Sequence, residues 1–354
     1  MSAEIPAGAM RFNSDSQKLE YWNGSAWFQV HTATPNLANV GGPLTVAPNA
    51  SDSNPGARGL FGGGGEAAPV GEVKNIDYIN IASTGNGQDF GDLQQTRQAL
   101  SSLGSSTRGF WVGGRDAPSN FDIIEFVTFS SLGNFTDFGN LSSAKQGPFG
   151  LSNATRGISG GGSFGNTVDY ITMASTGTVA TFGTLTPSNL GTYQSACMTP
   201  TRGVYFQSLK PSPYAGSTYL GNITIASTGD STEQFGDLTQ ERANIACLSN
   251  STRGIFAGGY QAPAPNYTKS MEYVELTSGG TAVFFGDLSV AKNNLNGNCT
   301  SPTRAVIAGG FTSPAITNVI EYVDIQTLGD AVDFGDLITA KYYASGISNA
   351  HGGL

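Results

Sequence analysis

Basic chemistry is scarce in this chain. Its 354 residues include two histidines, three cysteines and 17 lysines and arginines against 26 acids, for a net charge of −9. Nucleic acid is excluded as a partner, because its phosphates demand clustered Lys and Arg. An anionic membrane surface is disfavoured for the same reason. No apolar run approaches the roughly 20 residues needed to span a bilayer, so no membrane insertion is expected. Met1-Ser-Ala-Glu-Ile-Pro6 lacks the basic start and apolar core of a signal peptide. Three cysteines cannot form a complete disulfide set. Cys197, Cys247 and Cys299 fall five or six residues before a recurring arginine and read as one small, buried, reduced position in successive repeats, as in a chain folded in a reducing cytoplasm.

Catalytic groups are equally thin. His31 and His351 are the only imidazoles, and neither lies near a cysteine. No Ser-His-Asp or Cys-His arrangement, no metal site and no cofactor is therefore expected. The run Gly62–Gly65 lacks the Lys-Ser/Thr ending of a phosphate loop. Composition leaves a glycosidase-type carboxylate pair open, although the acids recur once per repeat, as scaffold positions do.

What the chain has in abundance is glycine, 49 residues, beside 38 % apolar residues. That mixture reads as short strands joined by many tight turns. A phrase of about fifty residues is written six times. Its first landmark is Ala57-Arg58-Gly59, then Thr-Arg-Gly at Arg108, Arg156, Arg202 and Arg253, and Thr303-Arg304-Ala305, with arginines 50, 48, 46, 51 and 51 residues apart. A second landmark, Phe-Gly-x-Leu, keeps phase at Phe90, Phe138, Phe182, Phe235, Phe285 and Phe334. Such a period marks a propeller or a related array.

The fifth copy spells out the unit. Arg253-Gly-Ile-Phe-Ala-Gly-Gly259 is a short apolar strand ending in two glycines, and a Pro-rich loop follows. Met271–Leu276 alternates in period 2, Ser278-Gly-Gly280 turns the chain into Ala282–Leu288, and Asn293–Thr300 is a fourth strand. Four such strands cannot bury both faces alone, and stacking sheets around an axis gives each face a neighbour. The Phe of Phe-Gly-x-Leu is the natural plug between blades, and its Gly suggests a bulge or a close backbone approach. For the six arginines two readings stand: pairing across or between blades with the aspartates 92, 237, 287 and 336, and a ring of charge around the channel. Pairing needs no further assumption.

The pattern resembles kelch repeats. The resemblance rests on the glycine pairs Gly64-Gly65, Gly113-Gly114, Gly161-Gly162, Gly258-Gly259 and Gly309-Gly310, followed by Asp77-Tyr78, Glu125-Phe126, Asp169-Tyr170, Glu272-Tyr273 and Glu321-Tyr322. It covers about residues 56–354, with Phe-Gly-Asp-Leu where kelch repeats usually carry Trp. It implies that the innermost strand precedes the Gly-Gly strand, so that 342–354 supplies the inner strand of the first blade and clasps the ring. The expected fold is all-β: a six-bladed kelch-like propeller of four-stranded blades over 57–354, a Gly/Pro-rich linker at 33–56 and a β-hairpin arm at 1–32.

Departures from the repeat draw functional attention. The fourth copy replaces Gly-Gly with Val204-Tyr-Phe-Gln-Ser-Leu209, continues into Lys210-Pro-Ser-Pro-Tyr214 and loses the acid before Tyr219. The loops after the Gly-Gly strands differ in every blade and would emerge on one side, where binding commonly resides. Tyr205, Phe206, Tyr214, Tyr219 and Tyr260 are the candidate ligand contacts there. In the arm, Lys18–Trp22 and Ser25–Val30 flank Asn23-Gly24, a two-residue turn signal, and Met10–Asn13 is a candidate third strand. Phe12, Tyr21, Trp22, Trp27 and Phe28 make an aromatic load too large for a unit this small to carry unpartnered, so the arm is expected to dock on a partner or on sister subunits.

Pro6-Ala-Gly-Ala-Met-Arg-Phe-Asn-Ser-Asp-Ser-Gln-Lys-Leu-Glu-Tyr-Trp-Asn-Gly-Ser-Ala-Trp27 resembles a short module at the N-termini of tailed-phage virion proteins. The array, with its Ala-Ser-Thr-Gly and Phe-Gly-Asp-Leu, is similar to those in structural proteins of marine phages, cyanophages especially. These resemblances imply a non-enzymatic virion protein, assembled in the host cytoplasm and anchored to other virion proteins by its arm. The propeller would be displayed for decoration or for attachment to a host-surface glycan or protein. A propeller-scaffold glycan hydrolase and an intracellular kelch-type adaptor are the alternatives, and a homo-oligomer stays open beside the virion partners.

Overall fold

The computed structural model describes Pro6, residues 9–13, 18–29 and 58–354, apart from 164, 176, 178, 187–190, 209–215, 232 and 262–265. The chain divides into two compact units, with the boundary between Asn54 and Pro55. The linker 33–56 and His31 lie outside the described residues.

The larger unit is a six-bladed β-propeller, every blade an antiparallel sheet. From the axis outward, blade 1 is Ser345–Ser348, Arg58–Gly62, Asn75–Asn80 and Gln88–Asp92. Blade 2 is Ser101–Gly104, Arg108–Val112, Ile123–Thr128 and Thr136–Asn140. Blade 3 is Phe149–Ser152, Arg156–Gly160, Thr167–Thr172 and Ala180–Thr184. Blade 4 is Ser195–Met198, Arg202–Phe206, Ser217–Thr224 and Gln234–Arg242. Blade 5 is Ala246–Ser249, Arg253–Ala257, Ser270–Glu275 and Val283–Asp287. Blade 6 is Asn298–Thr300, Arg304–Ala308, Val319–Asp324 and Val332–Asp336. Blade 4 departs from four strands, gaining Gly280–Thr281 from the neighbouring blade in parallel at its outer edge. Ser345–Ser348 pairs with Gly59–Gly62, from Ser345 on Gly62 to Ser348 on Gly59, and closes the ring, as expected of the C-terminal strand.

Six apolar clusters hold the ring, one at each blade-to-blade interface. Phe90, Phe138, Phe182, Phe285 and Phe334 are buried within them, each contributing roughly 1.5–3 kcal/mol. Five plugs stand edge-on to the aromatic residue of the third strand, as Tyr78 to Phe90 at 6.1 Å and 76°. The Gly after each Phe serves both suggested purposes. A register shift at Ile76/Asp77 bulges the chain beside Phe90, and a side chain at Gly91 would stand 2.4 Å from the Gly133 carbonyl of the next blade. Gly133 N–H in turn donates to Phe90 O at 2.9 Å, so one blade's turn caps its neighbour's outer strand.

The glycine pair of blade 1 sits one residue earlier than the sequence suggests: Gly63 and Gly64 carry the positive φ of 63° and 104° that Gly113 and Gly114 carry in blade 2. The cysteines also differ from expectation. Cys197 pairs with Val204 and Cys299 with Val306, equivalent positions, but Cys247 pairs with Phe256, one residue out of step. Strand alternation turns it to the opposite face, where it meets Cys197 in the cluster between blades 4 and 5. All three are free and buried.

The smaller unit is a three-stranded sheet, Met10–Asn13, Lys18–Trp22 and Trp27–Gln29. Its turn is not centred on Asn-Gly. Trp22 pairs with Trp27, Gly24 alone has positive φ, and the Asn23 carboxamide accepts from the Ser25 and Ala26 amides at 2.8 Å each. Asn23 therefore caps the turn from outside its centre.

Candidate functional site

The repeat arginines belong to the scaffold, through partners other than the expected aspartates. Each lies over an aromatic ring, from Arg58 on Tyr78 at 4.8 Å to Arg304 on Tyr322 at 4.6 Å. Arg202 uses Phe235, because Asn222 occupies the ring position of its blade. Each also donates to a carbonyl at the end of the next blade's third strand: Arg58 to Phe129, Arg108 to Met173, Arg156 to Ile225, Arg202 to Leu276, Arg253 to Ile325 and Arg304 to Ile81. The donors circle the ring and return to blade 1. Asp92 and Asp287 instead meet Lys74 and Lys269, and Asp237 meets Thr218 and Gln234.

The recurrent acids are locked in place. Asp77, Glu125, Asp169, Glu272 and Glu321 pair with Lys341, Arg97, Lys145, Arg242 and Lys292 on the connection entering their own blade. Both members of each pair are almost wholly buried. Burial pushes the carboxyls of Asp77 and Glu125 upward and the bases Lys341, Arg97, Lys145 and Arg242 downward, opposed by the facing charge. These five bases had a sequence signal that went unread: each follows the Leu of Phe-Gly-x-Leu by four residues.

Blade 4 lacks this pair. Strand register puts Gly221 in the acid's place and Asn222 in the aromatic's, so Tyr219 is not the aromatic of the repeat. No Lys or Arg lies between Leu185 and Tyr193. Tyr205 fills the space: a side chain on Gly221 would come within 2.1 Å of its ring. The ring stacks on Phe149 at 5.3 Å, and its hydroxyl donates to Thr186 O at 3.1 Å and lies 3.0 Å from Ser231 Oγ. Tyr205 and Phe206 are completely buried, so neither offers a face to a ligand. Tyr219 is half-buried and donates to Thr186 O. Tyr214 lies outside the described residues.

His351 closes one end of the channel. Its Nδ1 accepts from Gly353 N–H at 3.1 Å, leaving Nε2 to donate to Gly104 O at 2.8 Å. Burial holds its pKa down at about 4. Both ring nitrogens are thus committed to backbone.

At the other end of the channel the blade-to-blade connections bend inward through one equivalent residue each. These are Ala99, Gly147, Tyr193, Asn244, Asn294 and Tyr343, all with φ between 52° and 59°. Glycine adopts this backbone freely and Asn tolerates it, whereas Tyr does so at a cost of order 1–3 kcal/mol. Tyr193 and Tyr343 enter from opposite sides of the ring, yet their rings stack at 4.5 Å and 15°. They meet over the axis and cover the channel. Asn244 Nδ2 donates to Tyr343 OH at 3.0 Å and to Asn294 Oδ1 at 3.1 Å. Tyr342 leans on Tyr343 at 5.4 Å. Tyr260, the fifth candidate, packs on Tyr267 at 6.5 Å, and Tyr267 stands edge-on to Phe311 at 6.0 Å. These rings are all half-buried. Sequence reading missed Tyr193, Tyr342 and Tyr343, because the rim position has no recurring residue type.

In the arm, Phe12 and Met10 are 67 % and 60 % exposed. Trp22 and Trp27 pack together at 5.5 Å, with the Arg11 guanidinium 4.2 Å from the Trp27 ring. Tyr21 and Phe28 lie on the second and third strands, and their side chains fall outside the described residues. Among the described residues no His/Cys/Asp/Glu group is disposed to hold a metal ion. No helix among the described residues is long and apolar enough to cross a membrane.

The fold and this rim define a six-bladed β-propeller with an aromatic, amide-rich mouth. No protein-family model matches the chain, and no curated protein matches its sequence.

Proposed function

We propose that this protein is a non-enzymatic structural component of a tailed-phage virion, fixed to other virion proteins by its N-terminal sheet and displaying the propeller for host-surface attachment. The observation that carries the reading is the arm. Alternation along the first strand of the three-stranded sheet places Met10 and Phe12 on one face, and both are exposed. A unit so small gains little stability by itself, and an apolar face of this kind gains it from a partner. The likeness of residues 6–27 to phage N-terminal modules supplies the setting. The non-enzymatic assignment is supported by the five recurrent acids and His351, whose functional atoms are engaged within the scaffold.

The test is incorporation. The full chain should be found in purified virions, and a chain lacking residues 1–32 should fold as a propeller yet be absent from them. Incorporation without the arm would overturn the anchoring role. Normal adsorption by virions lacking the protein would reduce the propeller to decoration.

A further inference from the structure

We propose that the mouth around Tyr193 and Tyr343 binds a neutral carbohydrate. The proposal rests on the reading of the propeller as the displayed part of the protein, and it names the ligand class.

The first support is conformational. Six equivalent rim residues share one left-handed backbone, and Gly147 occupies it without strain. Tyrosine stands at two of the six against its conformational preference. Backbone strain of this kind persists where the side chain has a use.

The second support is chemical. A sugar presents a flat C–H face and a rim of hydroxyls. The mouth offers tyrosine rings together with the carboxamides of Asn244, Asn294 and Gln98, the mixture of apolar surface and few directed polar groups that binding sites use. Two buried acceptors at this end, Gln98 Oε1 and Asn293 Oδ1, have no hydrogen-bond partner. Asn293 is 7 % exposed, beside Phe311, whose carbonyl accepts its amide. Gln98 Oε1 and the Tyr342 ring both crowd the space that Gly65 leaves open: a Cβ there would lie 2.8 Å from Tyr342 Cε1 and 3.0 Å from Gln98 Oε1. Buried acceptors call for donors, and ligand hydroxyls supply them. The nearby charges are one of each sign: Glu72 accepts from Gln98 at 3.0 Å and Arg115 donates to Gln146 at 3.2 Å. With one charge of each sign beside it and a net charge of −9 on the chain, the site suits an uncharged sugar.

The full chain should bind immobilised neutral oligosaccharides of hexoses and N-acetylhexosamines, and not uronic or sialic acid oligosaccharides of equal length. Tyr193→Gly and Tyr343→Gly remove the rings while suiting the local backbone, so both variants should keep the melting temperature and lose binding by roughly tenfold or more. Asn294→Ala should weaken binding as well. A folded chain that binds no oligosaccharide, binds only acidic ones, or binds equally after both glycine substitutions would overturn the proposal. Presence in virions without sugar binding would sink this inference alone, and sugar binding by a chain absent from virions would sink the virion reading alone.

Discussion

At the scale of single residues, blade 4 solves by an aromatic ring what five blades solve by an ion pair. Charge left the acid site at Gly221 and the entering connection together, and Tyr205 occupies the space with its hydroxyl on Thr186 and Ser231. The two solutions should respond differently to truncation. Glu125→Ala leaves Arg97 charged in a dry site and should cost about 3–5 kcal/mol, whereas Tyr205→Phe removes only hydrogen bonds and should cost about 1 kcal/mol. Urea midpoints of the two variants measure the difference, and equal losses would contradict this account. The acids were legible in the sequence because they recur beside an aromatic. Their bases were equally periodic, but spacing alone does not say which charges meet across a blade boundary. Tyr205 was read as a surface aromatic because the fourth copy lacks its landmarks, and only strand register reveals that Gly221 makes room for it.

Among the elements, the C-terminal segment does two jobs: Ser345–Ser348 completes blade 1 and His351 closes the channel. Ring closure was legible, since a count of strands leaves one over at the end and one missing at the start. The closure by His351 was not, because a histidine in a six-residue tail has no pattern to betray it. Its titration follows from its setting. The folded pKa of about 4 lies below the ordinary 6.5, so the neutral imidazole is favoured by folding. Its contribution is complete above about pH 6.5 and is lost as pH falls toward 4, by about 3 kcal/mol in all. Stability measured between pH 7 and 4 should therefore fall less steeply in His351→Gln than in the parent. Parallel curves would refute the assignment.

For the whole molecule, the arginines turn six sheets into one cooperative body. Each ties its blade to the next, and the sixth returns to the first at Ile81. Because every interface also shares an apolar cluster, the propeller should unfold in one step. Trp111, wholly buried in blade 2, reports on this once Trp22 and Trp27 are replaced by Phe. Its fluorescence transition in urea should coincide with the loss of far-UV circular dichroism, and separated transitions would show the blades to be independent. Arg108→Ala should lower the common midpoint without splitting it.

The pairing of Ser345–Ser348 with Gly59–Gly62 also sets an order of events in time. Blade 1 is the first to leave the ribosome and the last to be finished, for its inner strand is made some 285 residues after the strand it joins. Until then, blade 1 presents an open inner edge, and its face toward blade 6 waits for residues 298–336. The nascent chain must carry that exposed edge while the other five blades are made, and its vulnerability to misassembly is concentrated in a single interval that ends when residues 345–348 emerge.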